Sequence, residues 1–114
     1  MLGLSMTAYR RKDLGNFERW VEEVKGAGFD FVEVVSEWPP HYLTRETAKL
    51  FGEVVDSYKM ELTVHAPFSD LNVASFNERV REISLQIIRE TLELAAKIGG
   101  ANPVTVHPGH CSPP

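Results

Sequence analysis

Few residues in this chain can do chemistry, and two of them sit in a repeated phrase. LTVHAPF at 62–68 and VTVHPGH at 104–110 each contain Thr-Val-His, with a proline within two residues of the histidine. Neutral imidazole is a common nitrogen ligand for zinc, copper, nickel and iron. It also transfers protons and hydrogen-bonds hydroxylated ligands near neutral pH. His65 and His107 are therefore candidates for one site, where they either ligate a divalent cation or act directly on a substrate. The alternative is that each is a buried histidine satisfied by a neighbouring carbonyl, a reading that the repetition weighs against.

The other candidates carry weaker signals. His110, at the end of HPGH, is either a further metal ligand or a solvent-facing loop residue. Glu33, in the apolar run FDFVEVV, either joins the histidines or pairs with an adjacent strand. Asp70 and Asn72 either shape the mouth of a site or form an Asx turn before a helix. His41, in PPHYL, has no geometric argument behind it. Cys111 is the single cysteine, so it cannot form an internal disulfide; it reads as a free loop thiol in a reducing, cytoplasmic protein. Other chemistries lack their motifs: there is no G-x-G-x-x-G after a strand, no P-loop, no G-x-S-x-G elbow and no Cys-x-x-Cys, and GGAN is too short to cradle a phosphate.

These side chains can meet only if the scaffold brings them together. The 114 residues are 43% hydrophobic and 25% charged, which suits one globular domain, 1–114, with enough apolar material for a core. With 12 basic and 16 acidic residues the formal charge is −4, and the one short basic run, Arg10-Arg11-Lys12, reads as solvated loop charge. A nucleic-acid partner is therefore not expected. The N-terminal MLGLSM places its apolar residues before the basic ones, the reverse of a signal peptide. No stretch approaches the roughly 18 apolar residues of a membrane span.

Periodicity supplies the elements. An apolar stretch at 2–6 precedes an amphipathic helix with Phe17, Trp20, Val21, Val24 and Ala27 on one face, Asn16 placed as its cap, and Gly26 and Gly28 near its end. FDFVEVV at 29–35 is β-branched and aromatic over a strand's length, and the turn residues of WPP follow. Thr44 can cap a second helix with Thr47, Leu50, Phe51, Val54, Val55 and Tyr58 as its face, ending near Lys59. LTVHA is then a third strand. Ser75 and Glu78 have capping-box spacing for a third helix, in which Val80, Ile83, Ile87, Thr91, Leu94, Ala95 and Ile98 recur until Gly99-Gly100. VTVH at 104–107 is the fourth strand.

The order β-α-β-α-β-α-β implies parallel strands with right-handed crossovers and helices on one face. Alternation along the strands then places Thr63 and His65 opposite Leu62 and Val64, and Thr105 and His107 opposite Val104 and Val106. Both histidines are expected at C-terminal strand ends, where parallel α/β folds bind ligands, with Glu33 on the same surface.

HAPFSDLNVAS at 65–75, LELAAKIGG at 92–100 and VTVHPGH together resemble the xylose-isomerase-like TIM-barrel superfamily, which contains sugar isomerases and epimerases and the endonuclease IV enzymes. The resemblance implies that the chain is the first half of a (βα)8 barrel with a divalent-metal site, zinc or manganese, at its C-terminal mouth. In endonuclease IV relatives the equivalents of His65 and His107 bind zinc. In the isomerase and epimerase branch the metal is held mainly from strands five to eight, and the equivalents of His65, His107 and Glu33 contact a sugar or sugar phosphate. The first strand and its continuation, LGLSMTAYRRK, lack the His-Val-Ser phrase of endonuclease IV, which favours the isomerase side.

A full barrel takes about 250 residues. Strands five to eight are missing from this chain, so it is expected to be inactive or nearly so in isolation. Its open edges should associate with a second half-barrel or its own copy. Three readings follow: half of a sugar isomerase or epimerase, half of a zinc phosphodiesterase acting on abasic DNA, or a non-catalytic half-barrel assembly module.

Overall fold

A computed structural model describes residues 1–8, 16–37, 43–99 and 102–111. The expectations placed on Arg10-Arg11-Lys12, the WPP turn, His41 and Gly100 lie outside these residues. In chain order the elements are β1 (Gly3–Ser5), a 3-10 turn (Met6–Ala8), α1 (Phe17–Gly26), β2 (Phe31–Val35), α2 (Arg45–Ser57), β3 (Glu61–His65), α3 (Glu78–Lys97) and β4 (Val104–Thr105). The four strands form one parallel sheet in the order β1-β2-β3-β4, the sequential arrangement of half a (βα)8 barrel. Among the described residues no helix is long and apolar enough to cross a membrane.

The sheet has two unlike faces because side chains alternate along each strand. Val32, Val34, Leu62 and Val64 are buried, with Leu4 and Val104 packed beside them, and this face carries the helices. Phe17, Trp20, Val21 and Val24 descend from α1, and Ala48, Phe51, Val54 and Val55 from α2. The rings of Phe17 and Phe51 meet at 4.1 Å between centroids, which joins the two helices. Each valine or phenylalanine among them contributes about 1.5–3 kcal/mol on burial, so this layer supplies most of the driving force for folding. The opposite face presents Ser5, Glu33, Thr63 and His65, all only half-buried. A complete barrel would fill that face with layered side chains.

The helix boundaries follow local chemistry. Thr44 caps α2 as anticipated: its hydroxyl accepts from the Thr47 amide, and Thr47 Oγ1 accepts in return from the Thr44 amide. For α3 the cap is Asn77 rather than Ser75, because Asn77 Oδ1 accepts from the Arg79 amide at 3.1 Å. Ser75 acts one step upstream, accepting from the Asn77 amide. Asn16 precedes α1 without a side-chain capping bond.

Two expected apolar faces are rotated. On α3 the buried line is Ser84, Ile88, Thr91 and Ala95, while Ile83 is half exposed. The two hydroxyls are tolerated inside because each donates to the carbonyl four residues earlier, Ser84 to Val80 and Thr91 to Ile87. On α2, Ala48 rather than Leu50 faces inward. Gly52 is also buried there: a side chain at this position would strike the carbonyl of Ile98, so glycine allows α2 to close on the end of α3.

The fourth strand is shorter than expected. The pattern VTVH predicts a strand to His107, yet pairing stops at Thr105, which lies opposite His65. The last ladder bond runs from the Ala66 amide to the Thr105 carbonyl. The next amide facing that side belongs to Phe68, and it donates to Glu37 at 2.9 Å instead of continuing the ladder.

Candidate active-site mouth

His65 is the last residue of β3 and is held from both sides. It pairs with Val35 of β2 and Thr105 of β4, and its carbonyl accepts from the Ser36 amide at 2.9 Å. Its side chain points to the half-buried face with Thr63, as alternation requires. His107 lies two residues past β4 rather than at its end, but the loop turns it back over the sheet. The two Nε2 atoms are 3.2 Å apart, and the rings meet at 5.0 Å between centroids.

Partners determine the tautomers of this pair. His65 Nδ1 lies 2.8 Å from the Ala66 carbonyl oxygen, which can only accept, so Nδ1 carries the proton. In the neutral imidazole the Nε2 of His65 then holds a lone pair, and His107 Nε2–H is the donor across the 3.2 Å gap. A backbone carbonyl on the remote nitrogen is also the arrangement that orients metal-binding histidines. The two Nε2 atoms are thus engaged with each other, and a ligand reaches them by displacing that contact.

A third ring completes the cluster. Phe68, 41% exposed, stacks on His107 at 4.6 Å with 15° between planes and sets its edge against His65 at 5.4 Å. A cleft of about 460 Å³ opens beside it, lined by Phe68, Asp70, Leu71, Asn72, His107 and the residues that follow. Another cleft, of about 500 Å³, lies at the far end of the strands around Met60, Leu62 and Pro103. Ligands of parallel α/β folds bind at the C-terminal strand ends, which favours the first.

Asn72 ties the two loops of the mouth together. Its Nδ2 donates to the His110 carbonyl at 2.7 Å, and its Oδ1 accepts from the amides of His110 at 3.1 Å and Ala74 at 3.0 Å. It therefore shapes the mouth and forms a local Asx turn at once. Gly109 is required beneath it: its φ is +75°, and any side chain there would collide with Asn72 Oδ1. The Asn72 amide in turn donates to the buried Ser84 hydroxyl, which anchors the clasp to α3.

The remaining candidates are placed differently from one another. Glu33 sits in the middle of β2, opposite Thr63 and two positions deeper than the residue paired with His65, and it accepts from Ser5 Oγ at 2.7 Å. It shares the face of the histidines, but its described partner is Ser5. His110 is held in the mouth loop through its backbone. Cys111 is an exposed free thiol whose Sγ lies 3.5 Å from the Ala74 carbonyl.

Among the described residues no three His, Cys, Asp or Glu side chains gather as a metal-ligand set. His65 and His107 fit one edge of such a site. With Zn–N bonds of about 2.0–2.1 Å, two ligands of a tetrahedral ion lie about 3.3–3.4 Å apart, close to the observed spacing. They supply two donors, and the rest of a coordination sphere would have to come from elsewhere.

Four contributors were not singled out from sequence: Phe68, Glu37, Ser84 and Ser5. Ser84 left a signal, as a polar residue within the apolar stretch of a helix. Phe68 lay inside the quoted HAPF phrase, but an exposed aromatic has no periodicity to flag it.

Residues 21–113 match the family described as xylose isomerase-like TIM barrel, and the chain belongs to that family. An uncharacterized protein of Methanocaldococcus jannaschii is 43% identical over 90 residues, covering 79% of this chain and 30% of that protein. A probable endonuclease 4 of Mycobacterium leprae is 38% identical over 88 residues, covering 77% and 33%. Among solved structures, a D-tagatose 3-epimerase-like protein superimposes with a TM-score of 0.76 at 38% identity, covering 95% of this chain and 38% of that one. A D-psicose 3-epimerase solved in the presence of D-fructose shares the fold at 20% identity, with a TM-score of 0.66. The chain thus spans about a third of the length of the proteins it matches.

Proposed function

We propose that the chain is the first half of a sugar isomerase or epimerase barrel, and that His65 and His107 form the part of the active-site mouth it supplies. The observation that carries this reading is the pair of imidazoles meeting at 3.2 Å beside an aromatic ring and a cleft, on a half-barrel similar to the D-tagatose 3-epimerase-like protein. In this role a substrate replaces the contact between the two imidazoles: His65 Nε2 then accepts a proton or hydrogen bond from a substrate hydroxyl, and His107 Nε2–H donates to a neighbouring substrate oxygen. Phe68 walls the cleft and excludes water from one side of the pair. Glu33 with Ser5 provides a polar floor one layer deeper. A bound divalent cation, zinc or manganese, would supply Lewis-acid polarisation of a carbonyl. His65 and His107, with His110 from the same loop, are this chain's candidates to touch it.

The half-buried sheet face and the edges at β1 and β4 support a further part of the proposal: the chain works against a second half-barrel, supplied by a longer polypeptide or by its own copy. The single exposed thiol, Cys111, favours a reducing cytoplasmic setting. The test is ketose turnover. The chain alone should give none, whereas a chimera carrying it in place of the matching segment of the D-tagatose 3-epimerase-like protein should epimerise a ketose and lose that activity with His107→Ala. Turnover by the chain alone, or an inactive folded chimera, would refute the reading.

A second reading is supported by the Nε2 spacing, which suits a zinc edge, and by the likeness to the probable endonuclease 4. It makes the pair direct zinc ligands in a phosphodiesterase acting on abasic DNA. Zinc binding by the chain that is lost in both His65→Ala and His107→Ala, together with nicking of an abasic duplex by the completed barrel, would select it.

A further inference from the structure

We infer that Glu37 is a positioning residue for this mouth, holding the loop after β3 so that the Phe68 ring is set over His107. Glu37 lies just past β2, two residues beyond Val35. Its Oε2 accepts from the Phe68 amide at 2.9 Å, and both carboxylate oxygens lie 3.3 Å from the Ser69 amide. These are consecutive backbone donors immediately after Pro67, which has none to offer. A carboxylate receiving two neighbouring amides makes the stronger, charge-assisted class of hydrogen bond.

The consequence passes through Phe68. At 41% exposure its ring is not locked by burial, so its direction depends on where the backbone places its Cβ. Glu37 grips that backbone at the amide of the same residue. The ring then lies face-on to His107 and edge-on to His65. Loops following three successive strands are linked in series: Glu37 after β2, Phe68 after β3, His107 after β4. Glu37 borders a separate depression with Pro67, Ser69 and Asp70 rather than the cleft between Phe68 and His107, so its effect on the pair passes through Phe68.

The inference rests on His65 and His107 being the functional pair, but the geometry is read without substrate. The experiment is NMR of the imidazole protons of the whole chain, comparing wild type with Phe68→Leu, Glu37→Ala and Glu37→Gln. A phenyl ring stacked on His107 displaces its ring protons upfield, and Phe68→Leu should abolish that displacement. Glu37→Ala should lose most of it, with the core methyl signals of Val21 and Val64 unchanged. Glu37→Gln, which keeps one acceptor oxygen, should recover part. A His107 displacement that survives Glu37→Ala overturns the inference, as does the absence of any effect of Phe68→Leu. If Glu37→Ala disturbs the core signals, Glu37→Gln decides: a shifted Phe68 amide with an unmoved His107 counts against it. Failure of the sugar reading alone would leave all these shifts intact.

Discussion

The Nε2 atoms of His65 and His107 lie 3.2 Å apart although the residue in register with His65 is Thr105. The two histidines are therefore not matching strand ends. One stands on the last rung of β3, and the other is carried back over the sheet by a loop that Asn72 clasps. The pair depends on loop chemistry as much as on strand register.

Asn72→Ala removes three hydrogen bonds from that clasp. At a net worth of about 0.5–1.5 kcal/mol per bond and with partial solvent compensation, the loss of stability should be about 1–2 kcal/mol in urea denaturation. The His110 amide resonance should move, and the β2 resonances should not.

Gly109→Ala should cost about 1–3 kcal/mol, since alanine must hold a φ of +75° and its Cβ meets Asn72 Oδ1. The two lesions attack one contact. A double-mutant cycle should therefore show the combined loss to be smaller than the sum of the single ones.

Phe51→Ala should destabilise by about 3–5 kcal/mol, because its ring is 1% exposed and packed at a tilt against Phe17. Thr63→Ala, on the half-buried face of the same sheet, should stay within about 1 kcal/mol. Equal losses at the two sites would mean that both faces are covered.

The half-buried inner face and the sheet edges at β1 and β4, unpaired among the described residues, lead us to expect self-association. Sedimentation equilibrium should give at least twice the chain mass, shifting toward monomer when Phe31 on that face becomes lysine. A stable, cooperatively folded monomer would contradict the assembly part of the proposal.

Much of this architecture is legible in the sequence, for physical reasons. The strand at 31–35 is a β-branched and aromatic run bounded by turns, the one at 61–65 alternates polar and apolar residues, and Thr44 announces α2 through a hydroxyl that needs only its neighbour Thr47. The misreadings share another cause. Ser84 and Thr91 hide their hydroxyls on their own helix, so the buried line of α3 is rotated from the one the aliphatic residues trace. Asn77 outcompetes Ser75 as a cap because its side chain reaches the Arg79 amide. The end of β4 coincides with the diversion of the Phe68 amide to Glu37, a tertiary effect that no window around Val104 contains. In the site, the pairing of His65 with His107 was foreseeable from the repeated phrase. Asn72 was legible as a mouth or Asx-turn residue, but its clasp on the His110 backbone and the role of Glu37 were not, since each bridges loops more than thirty residues apart.

The protonation pattern of the histidine pair tests the central claim most directly. Long-range ¹H–¹⁵N correlation spectra of the imidazoles, recorded where both are neutral, report which nitrogen of each ring carries the proton. The structure predicts the Nδ1–H tautomer for His65, held by the Ala66 carbonyl, and the Nε2–H tautomer for His107, donating into the pair. Finding His65 protonated at Nε2 would contradict its anchoring by the Ala66 carbonyl, and finding both rings in the free-solution tautomer mixture would mean that the two imidazoles do not form a single site.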